Sequence, residues 1–208
     1  MGQWFGADVR APAAWAIATG SAANVVGIVD TAFDVAHPDL SPNVWSAPAS
    51  FSVMIGGKTV ACPAGTQGFQ SRSGAMSCGP GAPMEHATHV AGIVGAAGNN
   101  QQGVAGVNWR ASMMSLNFMP DGTSGYTSDA INAIEFAIQI RARFAGWAAG
   151  NVRVVNNSWG GSGYSQALQD EIDRAAASDI LFVAAAGTVA RTSMRRRIIP
   201  PASRVLTW

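Results

Sequence analysis

Two side chains stand where their types and neighbours could do acid–base chemistry. Asp30 ends the apolar run Val25-Val26-Gly27-Ile28-Val29, and His86 opens the run His86-Ala87-Thr88-His89-Val90-Ala91-Gly92. An imidazole takes and returns protons near neutral pH, and a carboxylate on one ring nitrogen decides which nitrogen carries the proton. Two plainer readings use the same residues: a core histidine, or metal ligands at His86 and His89 on adjacent turns. Asp30 could equally cap a helix.

The elements that would position these groups follow from pattern. His86 lies beside Glu85 and leads into Val90–Ala97, small and apolar residues broken only by glycines. Such a run forms a helix only when buried. Gly92 and Gly95 each cost roughly 1 kcal/mol in helix propensity and would let a neighbouring backbone come close. The histidine is therefore expected at the mouth of a buried helix, on scaffold rather than loop. Val25–Asp30 is β-branched without polar alternation, the mark of a strand buried on both faces. In an open parallel sheet, ligands gather at the carboxyl ends of strands, which is where Asp30 falls.

Around these, Ala11–Ala16 predicts a short helix with Pro12 in its first turn. Residues 33–40 read as a turn, and residues 41–84, rich in Gly, Pro and Ser, as a long surface excursion. Ala111–Phe118, Val152–Ser158 and Ile180–Gly187 read as further strands. Ser128–Trp147 is an amphipathic helix with Ile131, Ile134, Ile138 and Ala145 on one face. Ser165 caps another helix, whose buried face carries Leu168, Ile172 and Ala176. Alternating strands and helices predict an α/β fold with a parallel sheet flanked by helices. Cys62 and Cys78 share one loop, and a bridge between them would stabilise by about 3 kcal/mol.

Composition narrows the classes. The chain has 208 residues, of which 48% are hydrophobic and 12% charged, consistent with one domain and a large core. A net charge of +1 gives no attraction to nucleic acid or to an anionic membrane. No apolar run reaches the roughly 20 residues of a membrane span, and Met1 is not followed by a signal-peptide pattern. No G-x-G-x-x-G follows Val25–Asp30, so a dinucleotide-binding reading has no support beyond the sheet. A metal hydrolase built on His86 and His89 would need a third ligand.

Four motifs in order give the chain a resemblance to the subtilisin-like serine peptidases, the subtilase family, over residues 4 to about 187. Asp30-Thr31-Ala32 stands where the family has Asp-Thr/Ser-Gly, followed by His37-Pro38-Asp39-Leu40. His86-Ala87-Thr88-His89-Val90-Ala91-Gly92 differs at one position from His-Gly-Thr-His-Val-Ala-Gly. Asn157-Ser158-Trp159-Gly160-Gly161 and Val183-Ala184-Ala185-Ala186-Gly187 are similar to the specificity-pocket strand and to the strand before the oxyanion asparagine.

The resemblance implies a subtilisin-like fold and a serine endopeptidase with an Asp-His-Ser triad. Asp30 would orient the imidazole and His86 would be the general base. Peptide or protein substrate would lie as an added strand against Thr123, Ser124 and Gly125 and against Ser158, Trp159 and Gly160. No cofactor is required, although Asp39 and Asn100, in the loop Gly98–Val104, match a family calcium site. The full-length form is expected to be secreted, made with a signal and a pro-segment absent from this chain.

Several departures qualify this. Ala32 and Ala87 replace family glycines, and each Cβ would cost energy if its position needs positive φ or close approach. Thr188 follows Gly187 where the family has its oxyanion asparagine, and the Gly-Thr-Ser-Met-Ala-x-Pro motif that supplies the nucleophile is missing. The chain as written is thus expected to be inactive, an inactive remnant or peptide-binding pseudoenzyme being the alternative. Residues 1–187 read as a partial catalytic domain, incomplete at its C-terminus, with an uncovered edge beside the fourth strand.

Residues 188–208 read as a non-homologous tail. Five of the thirteen basic residues lie there (Arg191, Arg195, Arg196, Arg197 and Arg204), with no period of either kind. A frameshift after Gly187 would account for it, a genuine short variant with a basic tail being the alternative. Codons can be chosen for the tail that, shifted by one base, read Asn-Ser-Gly-Thr-Asn-Ile-Asp-Ala-Thr-Pro-Tyr-Tyr-Pro-Ala, restoring the asparagine. Resequencing the DNA across codons 187 and 188 is expected to show a missing or extra base; an intact frame would end the idea.

Overall fold

In the computed structural model the first strand, Gly20–Asp30 (β1), is the axis of the sheet. The structure describes residues 9–161 and 163–185, and the backbone of 205–207. The expected chain start at Met1–Trp4, the end of the fourth strand at Ala186-Gly187 and the tail 188–208, apart from 205–207, lie outside the described residues.

Side-chain parity divides β1 between two faces. Val25 and Val29 enter the larger core cluster, whereas Ile28 enters the smaller one. Asp30, two residues on from Ile28, therefore points to the smaller cluster's side. Parallel partners flank β1: Arg110–Asn117 (β6) with Asp30 opposite Asn117, and Val152–Asn157 (β7) with Ile28 opposite Asn156. The sheet continues through Leu181–Ala184 (β8) to Val205–Thr207 (β9), which runs parallel to β8 with Phe182 opposite Val205. The edge of β8, expected to be open, is thus paired over three residues.

A short helix, Ala11–Trp15 (α1), precedes β1 where one was expected, and the longer helices lie on both faces of the sheet. Glu85–Gly95 (α2) joins β1 to β6 and buries Ala87, Ala91 and Gly95, one residue per turn, against the smaller cluster with Ile28, Ala111 and Met113. Thr127–Arg143 (α3) joins β6 to β7 and, with Gln166–Ala177 (α4), covers the other face. The winding direction reverses at β1, because β6 lies on one side of it and β7 on the other. Asp30 ends the strand at that reversal.

Several expectations need correction. α2 is not buried all round: Ile93 is 55% exposed. A Cβ on Gly95 would meet Met113 Sδ at 2.9 Å, so close packing is real there, but one on Gly92 would meet nothing. Neither Ala32 nor Ala87 has positive φ, and both are fully buried, so no backbone strain attaches to them. α3 ends at Arg143, leaving Ala145 exposed beyond it; Ile134 and Ile138 are buried as expected, and Ile131 only half. On α4, Ser165 accepts from Leu168 N at 3.3 Å as a cap, but Ala175 rather than Ala176 is buried.

The largest correction concerns residues 41–84, which are not a loop. They contain Phe51–Ile55 (β2), Lys58–Cys62 (β3), Gly68–Arg72 (β4) and Ala75–Cys78 (β5), arranged as two antiparallel hairpins. β4 pairs in parallel with β6, and Phe69 stacks on Phe136 of α3 with ring centroids 4.6 Å apart. Cys62 and Cys78 are bridged across β3 and β5, with Cα atoms 5.4 Å apart. Buried Asp129 at the start of α3 accepts from Ser71 Oγ (2.6 Å), Ser73 N (2.8 Å) and Gly74 N (3.1 Å), tying the second hairpin's turn to the helix.

Between α3 and α4, Glu171 lies almost fully buried beside Glu135, with Arg174 bonded to both. Burial first, then the hydrogen bond and the charge of Glu135, push the Glu171 carboxyl up from 4.5 to about 7, with Arg174 opposing. The folded chain holds a proton there that the unfolded chain releases near its ordinary value. Stability from this group is therefore full below about 4.5 and lost as pH rises through about 7. Glu171→Gln should flatten that part of the pH–stability curve measured by urea unfolding. An unchanged slope would contradict the assignment.

Candidate functional site

At the carboxyl end of β1, Asp30 is completely buried while the His86 side chain is 52% exposed. Asp30 Oδ1 lies 2.8 Å from His86 Nδ1 and also accepts from Thr31 N at 2.6 Å. The two side chains come from elements 56 residues apart. Asp30 caps no helix; its partners are the residue after it and the imidazole in the first turn of α2. With a carboxylate on Nδ1, the neutral ring keeps its proton there and leaves a lone pair on Nε2. Among the described residues Nε2 has no hydrogen-bond partner. The pair can therefore accept a proton on its exposed side and stabilise the resulting charge on its buried side.

The core-histidine reading fails on exposure. The metal-ligand reading lacks its third ligand: no group of three or more His, Cys, Asp or Glu side chains placed to hold an ion is assembled among the described residues.

The other expected site residues fall on loops at the same sheet end. Thr123, Ser124 and Gly125 follow β6, while Ser158, Trp159 and Gly160 follow β7, so the two loops leave the sheet on either side of β1. Asp121 shapes the first loop, accepting from Thr123 N at 2.9 Å, Ser124 N at 2.8 Å and Ser124 Oγ at 2.9 Å. The Ser124 and Thr123 backbone donors hold its carboxyl down at about 2. Asp121 was not singled out in the sequence, although Asp-Gly-Thr-Ser is an Asx-turn signal. A Cβ on Gly125 would lie 2.5 Å from Phe118 O, so this glycine is required by close approach. In the second loop Ser158 Oγ is 2.9 Å from Asn156 Nδ2, and Trp159 packs edge-on against Phe118 at 4.8 Å between ring centroids. Trp159 thus joins the ends of β7 and β6.

Asn117, also missed, is buried opposite Asp30 in the register, and its Oδ1 has no partner among the described residues.

The candidate calcium residues also meet. Asp39 is 3% exposed; its Oδ1 accepts from Asn100 Nδ2 at 2.7 Å and its Oδ2 from Val104 N at 2.8 Å. Asn99, Gln101 and Gly103 adopt positive φ (57°, 60° and 42°), curling the loop around the carboxylate.

Comparison with known proteins identifies the family. A family model described as the subtilase family matches residues 21–197. Subtilisin E of Bacillus subtilis (strain 168) is 35% identical over 162 residues, covering 78% of this chain and 33% of the relative. Thermitase of Thermoactinomyces vulgaris is 31% identical over 185 residues, covering 89% of this chain and 54% of the relative. The solved structure of sphericase superimposes with a TM-score of 0.61 at 27% identity, over 84% of this chain and 49% of that one. The chain spans 33% of the length of subtilisin E and 54% of that of thermitase. With its carboxylate–imidazole pair at the reversal point of a parallel sheet, and a family match across most of its length, the chain belongs to the subtilase family.

Proposed function

We propose that this chain carries the acid–base pair of a subtilisin-type serine endopeptidase, hydrolysing peptide bonds in peptide or protein substrates. The observation that carries the reading is the 2.8 Å contact between Asp30 Oδ1 and His86 Nδ1, with the imidazole's other side open. In that role His86 Nε2 takes the proton of a serine hydroxyl as it attacks the substrate carbonyl, then gives it to the leaving amine. Buried Asp30 holds the tautomer and stabilises the imidazolium. The loops at 123–125 and 158–160 leave the sheet on both sides of Asp30, which supports their role as walls for an extended peptide.

The same sequence supports a second reading of the polypeptide as it stands. It has no Gly-Thr-Ser-Met-Ala-x-Pro motif, and Thr188 occupies the position of the oxyanion asparagine. Loss of one oxyanion donor costs about 10²–10³ in turnover, and loss of the nucleophile removes covalent catalysis. On this reading these 208 residues carry the acid–base pair without the nucleophile segment and hold peptide rather than cleave it. A fluorophosphonate probe is expected to leave it unlabelled under conditions that saturate thermitase. Stoichiometric labelling of a serine, abolished by His86→Ala, would instead make it a complete peptidase. An extracellular location is supported by the Cys62–Cys78 bridge, which persists in oxidising compartments.

Calcium is proposed as a structural ligand. A half-turn of the Asn100 amide replaces its donor nitrogen with oxygen beside the buried Asp39 carboxylate, giving the donor set of a hard cation. Asp39 and Asn100, with backbone carbonyls of the 98–104 loop, would hold it. The ion supplies charge neutralisation and loop rigidity and takes no part in proton transfer. A chelator should lower Tm by several degrees; an unchanged Tm would contradict calcium binding.

A further inference from the structure

The roles given to Asp30 and His86 leave unexplained the threonine in each of their motifs, Asp30-Thr31 and His86-Ala87-Thr88. The first turn of an α-helix exposes backbone N–H groups that need acceptors, and the residue before α2, Met84, supplies no side-chain cap. The acceptor comes from another element: Thr31 Oγ1, at the end of β1, takes the Ala87 N–H at 3.2 Å. Thr31 is 1% exposed, so water cannot substitute readily. A matching bond runs the other way. Thr88 Oγ1 accepts from Asp34 N at 3.0 Å while donating to Met84 O at 2.7 Å. Each segment thus lends a hydroxyl to the backbone of the other, through the two residues that follow His86. The direct backbone link nearby is Met84 N to Ala32 O at 2.8 Å, within a bridge between Ala32 and Pro83.

We propose that Thr31 and Thr88 are positioning residues, a reciprocal hydroxyl clasp that locks the end of β1 to the first turn of α2 and so sets the Asp30–His86 hydrogen bond. The geometric reason is leverage. The backbone link at Met84 fixes where the helix begins, and the buried Ala87–Ala91 stripe fixes which face meets the sheet, but neither sets the fine rotation of the first turn that aims the His86 ring. Bonds at Ala87 and Thr88, the two residues after His86, remove that rotation. Without them the imidazole swings on a frayed turn, and Nδ1 does not stay at 2.8 Å from Oδ1. Both hydroxyls act through His86, and neither touches the reacting atoms.

The clasp rests on the reading of Asp30 and His86 as the acid–base pair, but its test reads their hydrogen bond rather than proteolysis. A chain inactive for lack of a nucleophile therefore leaves the test intact. With ¹⁵N-histidine in the whole chain, the His86 Nδ1–H proton should give a low-field resonance in slow exchange with water. Thr31→Val and Thr88→Val, which remove a hydroxyl at nearly constant volume, should each speed that exchange by about tenfold or more. Thr31→Ser and Thr88→Ser should restore it. A helix cap with no effect on His86 would lower Tm in the valine variants and leave the resonance and its exchange unchanged, and that result overturns the proposal. Amide exchange in the unaltered chain gives a reading that needs no variant to fold. The Ala87 and Asp34 amides should be protected, and exchange of either at the rate of an exposed amide also overturns the proposal.

Discussion

The structure depends on one hydrogen bond between a buried carboxylate and a half-exposed imidazole. Burying Asp30 completely would be costly for an isolated charge, and its Oδ1 is compensated by the Thr31 N–H and by His86. Its Oδ2 has no partner among the described residues. The bond therefore has a structural and a chemical side. It keeps a charged group tolerable at the end of the central strand, and it leaves the imidazole with its basic nitrogen toward solvent.

Placing those two groups is largely a matter of parity and winding. Two-residue periodicity along β1 puts Asp30 on the face with Ile28, where α2 lies. Reversal of winding at β1 then sends α3 and α4 to the opposite face and brings the loops after β6 and β7 to either side of the strand's end. The narrow Ala87–Ala91–Gly95 stripe lets α2 sit close to Ile28, Ala111 and Met113. A bulkier stripe would lift the helix and carry His86 away from Asp30. Trp159, edge-on to Phe118, ties together the ends of the two neighbouring strands.

Much of this was legible in the residues, and the failures have physical causes. β1 could be read because a strand buried on both faces appears as a continuous apolar run, Val25–Val29, and Asp30 because it ends that run. The hairpins within 41–84 were misread because Gly, Pro and Ser dominated the composition. The period-two signal in Phe51-Ser52-Val53-Met54-Ile55, buried and exposed in strict alternation, was present but brief. Gly56-Gly57 and Ser73-Gly74, both pairs with positive φ, mark the two turns. The burial of α2 was overestimated because composition gives the mean polarity of a helix and not which side meets the sheet. The Thr31 and Thr88 contacts could not be read from spacing, since each joins backbone and hydroxyl across more than fifty residues.

The ring of His86 offers the most direct test of this account. A two-bond ¹H–¹⁵N correlation spectrum of the neutral imidazole reports which nitrogen carries the proton. The account predicts the Nδ1–H tautomer, held by Asp30, and its loss in Asp30→Ala. A neutral ring protonated on Nε2, or a spectrum indifferent to Asp30→Ala, would contradict it.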